Sequence, residues 1–122
     1  MAPILVVAAM ESRRRLVDIL LGAGYSVVEA DAEEDVLKAM SCVSPDLVLM
    51  AIVMPDSNGL ELAAKLRRNF SSESLPIVLL GSIPPVGIND EPLASLVSGY
   101  LSTDVSAHDL LSTVRRLRVD RG

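Results

Sequence analysis

Five short aliphatic runs, separated by segments with helical periodicity, restrict the fold of this chain more than any other feature. The runs are Ile4–Ala8 (ILVVA), Ser26–Ala30 (SVVEA), Leu47–Ile52 (LVLMAI), Pro76–Leu80 (PIVLL) and Tyr100–Ser102 (YLS). The first, third and fourth are apolar without alternation, as strands are when both faces of their sheet are covered. The intervening segments carry apolar residues at helical spacing. Glu11–Gly22 leads Leu16, Ile19, Leu20 and Ala23 down one face, and Gly22 with Gly24 stops it. From Asp31 to about Val43, the stripe is Val36, Ala39, Met40 and Val43, opened by an Asp31/Glu34 capping box and closed by Ser44-Pro45. Leu60–Phe70 turns Leu62, Ala63, Leu66 and Phe70 inward and Lys65, Arg67 and Arg68 outward. Glu91–Val97 forms a short helix behind an Asp90 N-cap. Ser106–Val119, opened by Ser106 and Asp109, buries Leu110, Leu111, Val114 and Leu117.

Strict alternation of strand and helix implies a parallel sheet with right-handed crossovers and helices on both faces. With 122 residues the reading is a single domain over 1–122, with 119–122 as a possible start of a linker. Only two Tyr, one Phe and no Trp are present, so the core is aliphatic and base-stacking nucleic-acid modules are a poor match. A net charge of −5 also argues against a nucleic-acid surface. No apolar run reaches bilayer length and no signal-peptide layout opens the chain, so a soluble, cytoplasmic domain is expected. Cys42 is the single cysteine, which excludes an internal disulfide; it reads as a small buried apolar residue.

In doubly wound sheets, chemistry gathers at the carboxyl ends of the strands. Here those ends present Ala8-Ala9, Ala51, Gly81-Ser82 and Thr103. The stretch Pro45–Gly59 (PDLVLMAIVMPDSNG) runs from a buried strand into a Met-Pro loop with an Asn-Gly exit. At its lip stands Ala51, which can do no polar chemistry.

These blocks resemble, in register and over nearly the whole length, the receiver domain of two-component response regulators. The four blocks are ILVVAA at Ile4–Ala9, PDLVLMAIVMPDSNG at Pro45–Gly59, PIVLLGS at Pro76–Ser82 and YLSTD at Tyr100–Asp104. The resemblance implies a flavodoxin-like five-stranded parallel sheet in the order 2-1-3-4-5. It also implies the family's chemistry. A carboxylate on strand three accepts a phosphoryl group from a histidine kinase. Paired acids after strand one, with that carboxylate and a backbone carbonyl corresponding to Val53, hold Mg²⁺. A hydroxyl after strand four and a lysine after strand five grip the phosphate.

Residue by residue, the sequence departs from that set. The acids are Ala8 and Ala9, the acceptor is Ala51, the hydroxyl position is Gly81 and the lysine position is Thr103. The expectation is therefore a degenerate receiver, with no catalytic residue, no Mg²⁺ and no phosphorylation, acting as a protein-interaction module. Two rivals stand beside it. One is a phosphorylatable regulator using displaced groups at Glu11, Asp56 or Ser82; the other is a small-ligand sensor in the vacated cleft.

Tyr100 matches the family's switch aromatic, and the same position also suits a partly buried tyrosine on an edge strand. The resemblance implies a contact or homodimer face running from the fourth helix through strand five to the last helix. Its candidate residues are Leu93, Leu96, Tyr100, His108, Leu111 and Arg115, and its partner is a signalling protein or a second copy. Direct nucleic-acid and membrane contacts are not expected of this domain. Two basic clusters, Arg13–Arg15 and Arg115, Arg116, Arg118 and Arg121, read as partner surfaces or, at the C-terminus, as charges facing a helix dipole. The proline-rich loop Ile83–Pro92 reads as rigid.

Overall fold

The computed structural model describes residues 3–52, 59–70, 75–81 and 97–120, excluding the side chains of 118–120. In chain order the described elements are β1 (Ile4–Val7), α1 (Met10–Gly22), β2 (Val27–Ala30), α2 (Glu33–Cys42), β3 (Leu47–Ala51), α3 (Gly59–Arg67), β4 (Ile77–Gly81), β5 (Gly99–Ser102) and a C-terminal helix (Ala107–Asp120). All strand pairs are parallel, in the order β2-β1-β3-β4-β5. The doubly wound sheet expected from the alternation is thus present. The helix expected at Glu91–Val97, its Asp90 cap, the Ile83–Pro92 loop and the Met54-Pro55 turn fall in or across stretches outside the described residues.

The unalternating runs are explained by two cores, one on each face of the sheet. Leu5, Val7, Val48, Met50, Ile77 and Leu79 face α2 and α3, whose Val36, Met40, Leu62 and Leu66 complete that layer. Ile4, Val6, Leu47, Leu49, Val78 and Leu80 face α1 and the C-terminal helix, meeting Leu16, Leu20, Leu110 and Val114. Each fully buried aliphatic side chain contributes about 1.5–3 kcal/mol relative to an exposed one, so these strands are the principal source of stability. β2 and β5, the edge strands, are only partly covered.

Helix boundaries show where local signals yield to packing. Ala32, with no side-chain cap, precedes α2, so the expected Asp31/Glu34 capping box does not form. Asp31 lies instead 3.9 Å from the Arg13 guanidinium. At the C-terminal helix, Ser106 Oγ does accept the Asp109 N–H at 3.1 Å. Gly24, at φ +93°, turns the chain after α1. Val43 and Cys42 are both exposed, contrary to their expected burial, because α2 ends at Cys42 and Ser44 takes a positive φ of 54°. Arg67 does not point outward; it folds back to donate to the carbonyls of Leu75 (2.6 Å) and Phe70 (3.4 Å), tying α3 to the start of β4. Lys65 stays outward and pairs with Glu33 at 2.9 Å.

Candidate functional site

The ladder registers bring the strand-end residues onto one edge of the sheet. The last β1–β3 pair is Val7–Met50, so Ala8 and Ala51 follow side by side. Ala51 pairs with Leu80, and Gly81 pairs with Ser102. Thr103 follows in the turn after β5, half-buried. The residues singled out at Ala8, Ala51, Gly81 and Thr103 therefore share the carboxyl end of the sheet. Ala9 stands beside them, exposed, as the residue preceding α1.

The β1/β3 portion of this edge is apolar and tightly packed. Ala8 is fully buried and Ala51 is 7% exposed, and both belong to the core cluster shared with α2 and α3. Gly59 at the start of α3 is pressed against the end of β3, with its N–H donating to the Ile52 carbonyl at 2.8 Å. A Cβ at position 59 would lie 2.2 Å from the Ala51 carbonyl oxygen, so only glycine permits this approach. The glycine that closes the Pro45–Gly59 motif is thus a packing requirement of the scaffold.

Across β4 and β5 the arrangement differs. The Tyr100 ring lies over Gly81: a Cβ there would meet Tyr100 Oη at 2.9 Å and Ile52 Cδ1 at 3.0 Å. The phenol thus fills the space that a side chain at position 81 would need. Its hydroxyl is buried without a hydrogen-bond partner among the described residues, and burial raises its pKa above the ordinary tyrosine value. Next to it, Ser102 Oγ donates to Asp104 Oδ1, and this bond is the main cause holding the Asp104 carboxyl below its ordinary range.

Mg²⁺ needs several hard oxygen ligands. Ala8, Ala9 and Ala51 offer no carboxylate, and Val53 lies outside the described residues. Among the described residues, no group of three or more His, Cys, Asp or Glu is placed to hold a metal. The described residues at this edge do not fit the ion. Of the displaced candidates, Glu11 is exposed on the first turn of α1, while Asp56 and Ser82 lie outside the described residues.

On the expected interaction face, His108 and Arg115 are exposed and Leu111 is half-buried on the C-terminal helix; Leu93 and Leu96 lie outside the described residues. Arg116 is exposed, and the Arg118 side chain and Arg121 lie outside the described residues. The N-terminal basic cluster divides. Arg13 is 9% exposed, donating Nε to Glu29 Oε1 at 2.9 Å and a terminal nitrogen to the Ala8 carbonyl at 3.0 Å. Arg14 and Arg15 both stay exposed, and Arg15 also donates to the Val105 carbonyl beside the C-terminal helix. Sequence reasoning missed Arg13 as the clamp joining α1, β2 and the end of β1. The acids at Glu29 and Asp31, two residues apart at the end of β2, were the signal for it.

The comparisons with known proteins agree with this topology. A family model described as the response regulator receiver domain matches residues 4–115. The response regulator PleD of Caulobacter vibrioides is 29% identical over 117 residues, covering 95% of this chain and 26% of PleD. The CAI-1 autoinducer sensor kinase/phosphatase CqsS of Vibrio cholerae is 46% identical over 79 residues, covering 64% of this chain and 11% of that protein. The chain thus spans about a quarter or less of these relatives' lengths. Among solved structures, a CheY-like receiver domain from Methylobacillus flagellatus superposes with a TM-score of 0.81 at 21% identity, covering 96% of this chain and 98% of its own. The shared fold and the match over almost the full length place this chain in the response regulator receiver domain family of two-component signalling.

Proposed function

We propose that this receiver domain is a pseudo-receiver: a protein-interaction module of a two-component pathway that works without aspartyl phosphorylation, without Mg²⁺ and without catalysis of its own. Ala51 carries the reading. It occupies the end of β3, where the family places its phosphoacceptor, and lies buried beside Ala8 in a continuous apolar cluster. A methyl group cannot form an acyl phosphate, and phosphoryl transfer also needs a metal and cations to neutralise developing charge. Gly81 and Thr103 supply neither the family's hydroxyl nor its lysine at their two positions.

What such a domain offers instead is surface. The C-terminal helix presents His108 and Arg115 outward beside β5, and this face is where we place the contact with a signalling partner. Tyr100 borders it, already turned inward over Gly81, so its position does not wait on a phosphate. No helix of the described residues is long and apolar enough to cross a membrane, in keeping with the cytoplasmic setting that belongs to this proposal.

Incubation with acetyl phosphate, or with beryllofluoride, in the presence of Mg²⁺ tests the reading. Intact-mass spectrometry is expected to show no phosphoryl gain, and the tyrosine spectrum no Mg²⁺-dependent change. A stable mass gain that maps to Asp56 or Ser82 would overturn it.

A further inference from the structure

On the face of α1 that borders the β2 edge, Val17 packs into the core while Met10, Arg14 and Leu21 around it stay on the surface. Met10, Arg14, Val17 and Leu21 follow one another at spacings of four, three and four, the spacing of positions that meet a second helix. Met10 is 67% exposed and Leu21 53%, the two highest values among the exposed large hydrophobic residues. With Asp18 and the Glu29 wall, these side chains line one groove on the surface. Isolated exposed hydrophobics need no explanation, but Met10 and Leu21 line one groove on one helix face, with Arg14 and Asp18 between them.

The charges on this face identify the occupant. Arg14 and Asp18 are opposite in sign and one helical turn apart, and neither has an ion-pair partner among the described residues. A two-fold axis passing between Arg15 and Leu16 would set two copies of α1 antiparallel. Met10 of each copy then faces Leu21 of the other, and Arg14 of each comes beside Val17 and Asp18 of the other. Such self-complementarity is what an isologous contact requires, because the same patch must supply both halves. We infer that this face of α1 is a homodimer interface, occupied by a second copy of this chain. The inference is independent of the phosphorylation reading.

Sedimentation equilibrium of the intact chain from micromolar to millimolar concentration tests it. A monomer–dimer equilibrium is expected. Leu21→Glu abolishes it, since the substitution puts a charge opposite Met10 without touching the core. Arg14→Asp and Asp18→Arg each weaken dimerisation roughly tenfold, because two-fold symmetry counts each altered pair twice. Mixing those two single variants restores association as a heterodimer, in which every cross-pair is again opposite in sign. Circular dichroism melts confirm that each variant is folded. A wild-type chain that stays monomeric throughout overturns the inference, as does a dimer indifferent to Leu21→Glu or a mixture that fails to associate.

Discussion

The two halves of the strand-end edge are filled in different ways. Between β1 and β3, Ala8 and Ala51 sit in an aliphatic layer sealed by the close approach of Gly59. Between β4 and β5, one large side chain lies across the space above Gly81, and its hydroxyl finds no partner among the described residues. The first half is a filled aliphatic core; in the second, the Tyr100 ring occupies the volume beside Gly81. At a glycine the space a side chain would take is filled by a neighbour, and here the filling group is amphipathic.

Three substitutions break or sharpen this contrast. The largest effect is expected from Ala51→Asp, which puts a carboxyl into the filled core. Urea unfolding at neutral pH should show a loss of about 2–4 kcal/mol. Burial raises the folded-state pKa of such a carboxyl, so the loss appears as pH rises through that value and shrinks towards pH ~4. A neutral outcome, with beryllofluoride uptake, would show that this half is an open pocket.

Gly81→Thr acts on the other half, where the new side chain must displace Tyr100. A cost of about 1–3 kcal/mol is expected, together with a changed near-ultraviolet tyrosine signal. Unaltered tyrosine spectra would mean that the ring does not occupy the space over Gly81.

Tyr100→Phe has the smallest effect, removing a hydroxyl with no hydrogen-bond partner among the described residues. Stability should be unchanged or higher by up to about 1 kcal/mol. It should also alter the alkaline limb. The raised Tyr100 pKa means that folded stability is intact below the unfolded tyrosine value of ~10 and is lost as pH rises through the folded one. In the phenylalanine variant that alkaline loss is reduced, which thermal melts across pH 9 to about 11.5 would detect.

The sheet was legible because period and composition act locally: ILVVA and LVLMA can be little else than covered strands. The row of Ala8, Ala51, Gly81 and Thr103 was legible too, since parallel registers align the carboxyl ends of neighbouring strands. What the sequence hid were long-range choices made by single side chains. Asp31 had two possible uses, as a helix cap and as a neighbour for Arg13, and only the folded chain decides between them. Arg67 looked like a solvated face by helical phase, yet its length lets it reach carbonyls beyond the end of its helix. Tyr100 over Gly81 joins residues on neighbouring strands, and neither residue alone signals that contact.

The placement of β1 has a consequence for how this chain is made. It is covered on both faces and bonded on both edges, to β2 on one side and to β3 on the other. Of the sheet's strands it is translated first, yet its second edge stays open until Leu47–Ala51 has left the ribosome. For those forty-odd residues the most apolar strand is an unpaired template for other nascent chains. The acidic first turn of α2, with Glu33, Glu34 and Asp35, is translated within that interval and places negative charge close behind the exposed strand.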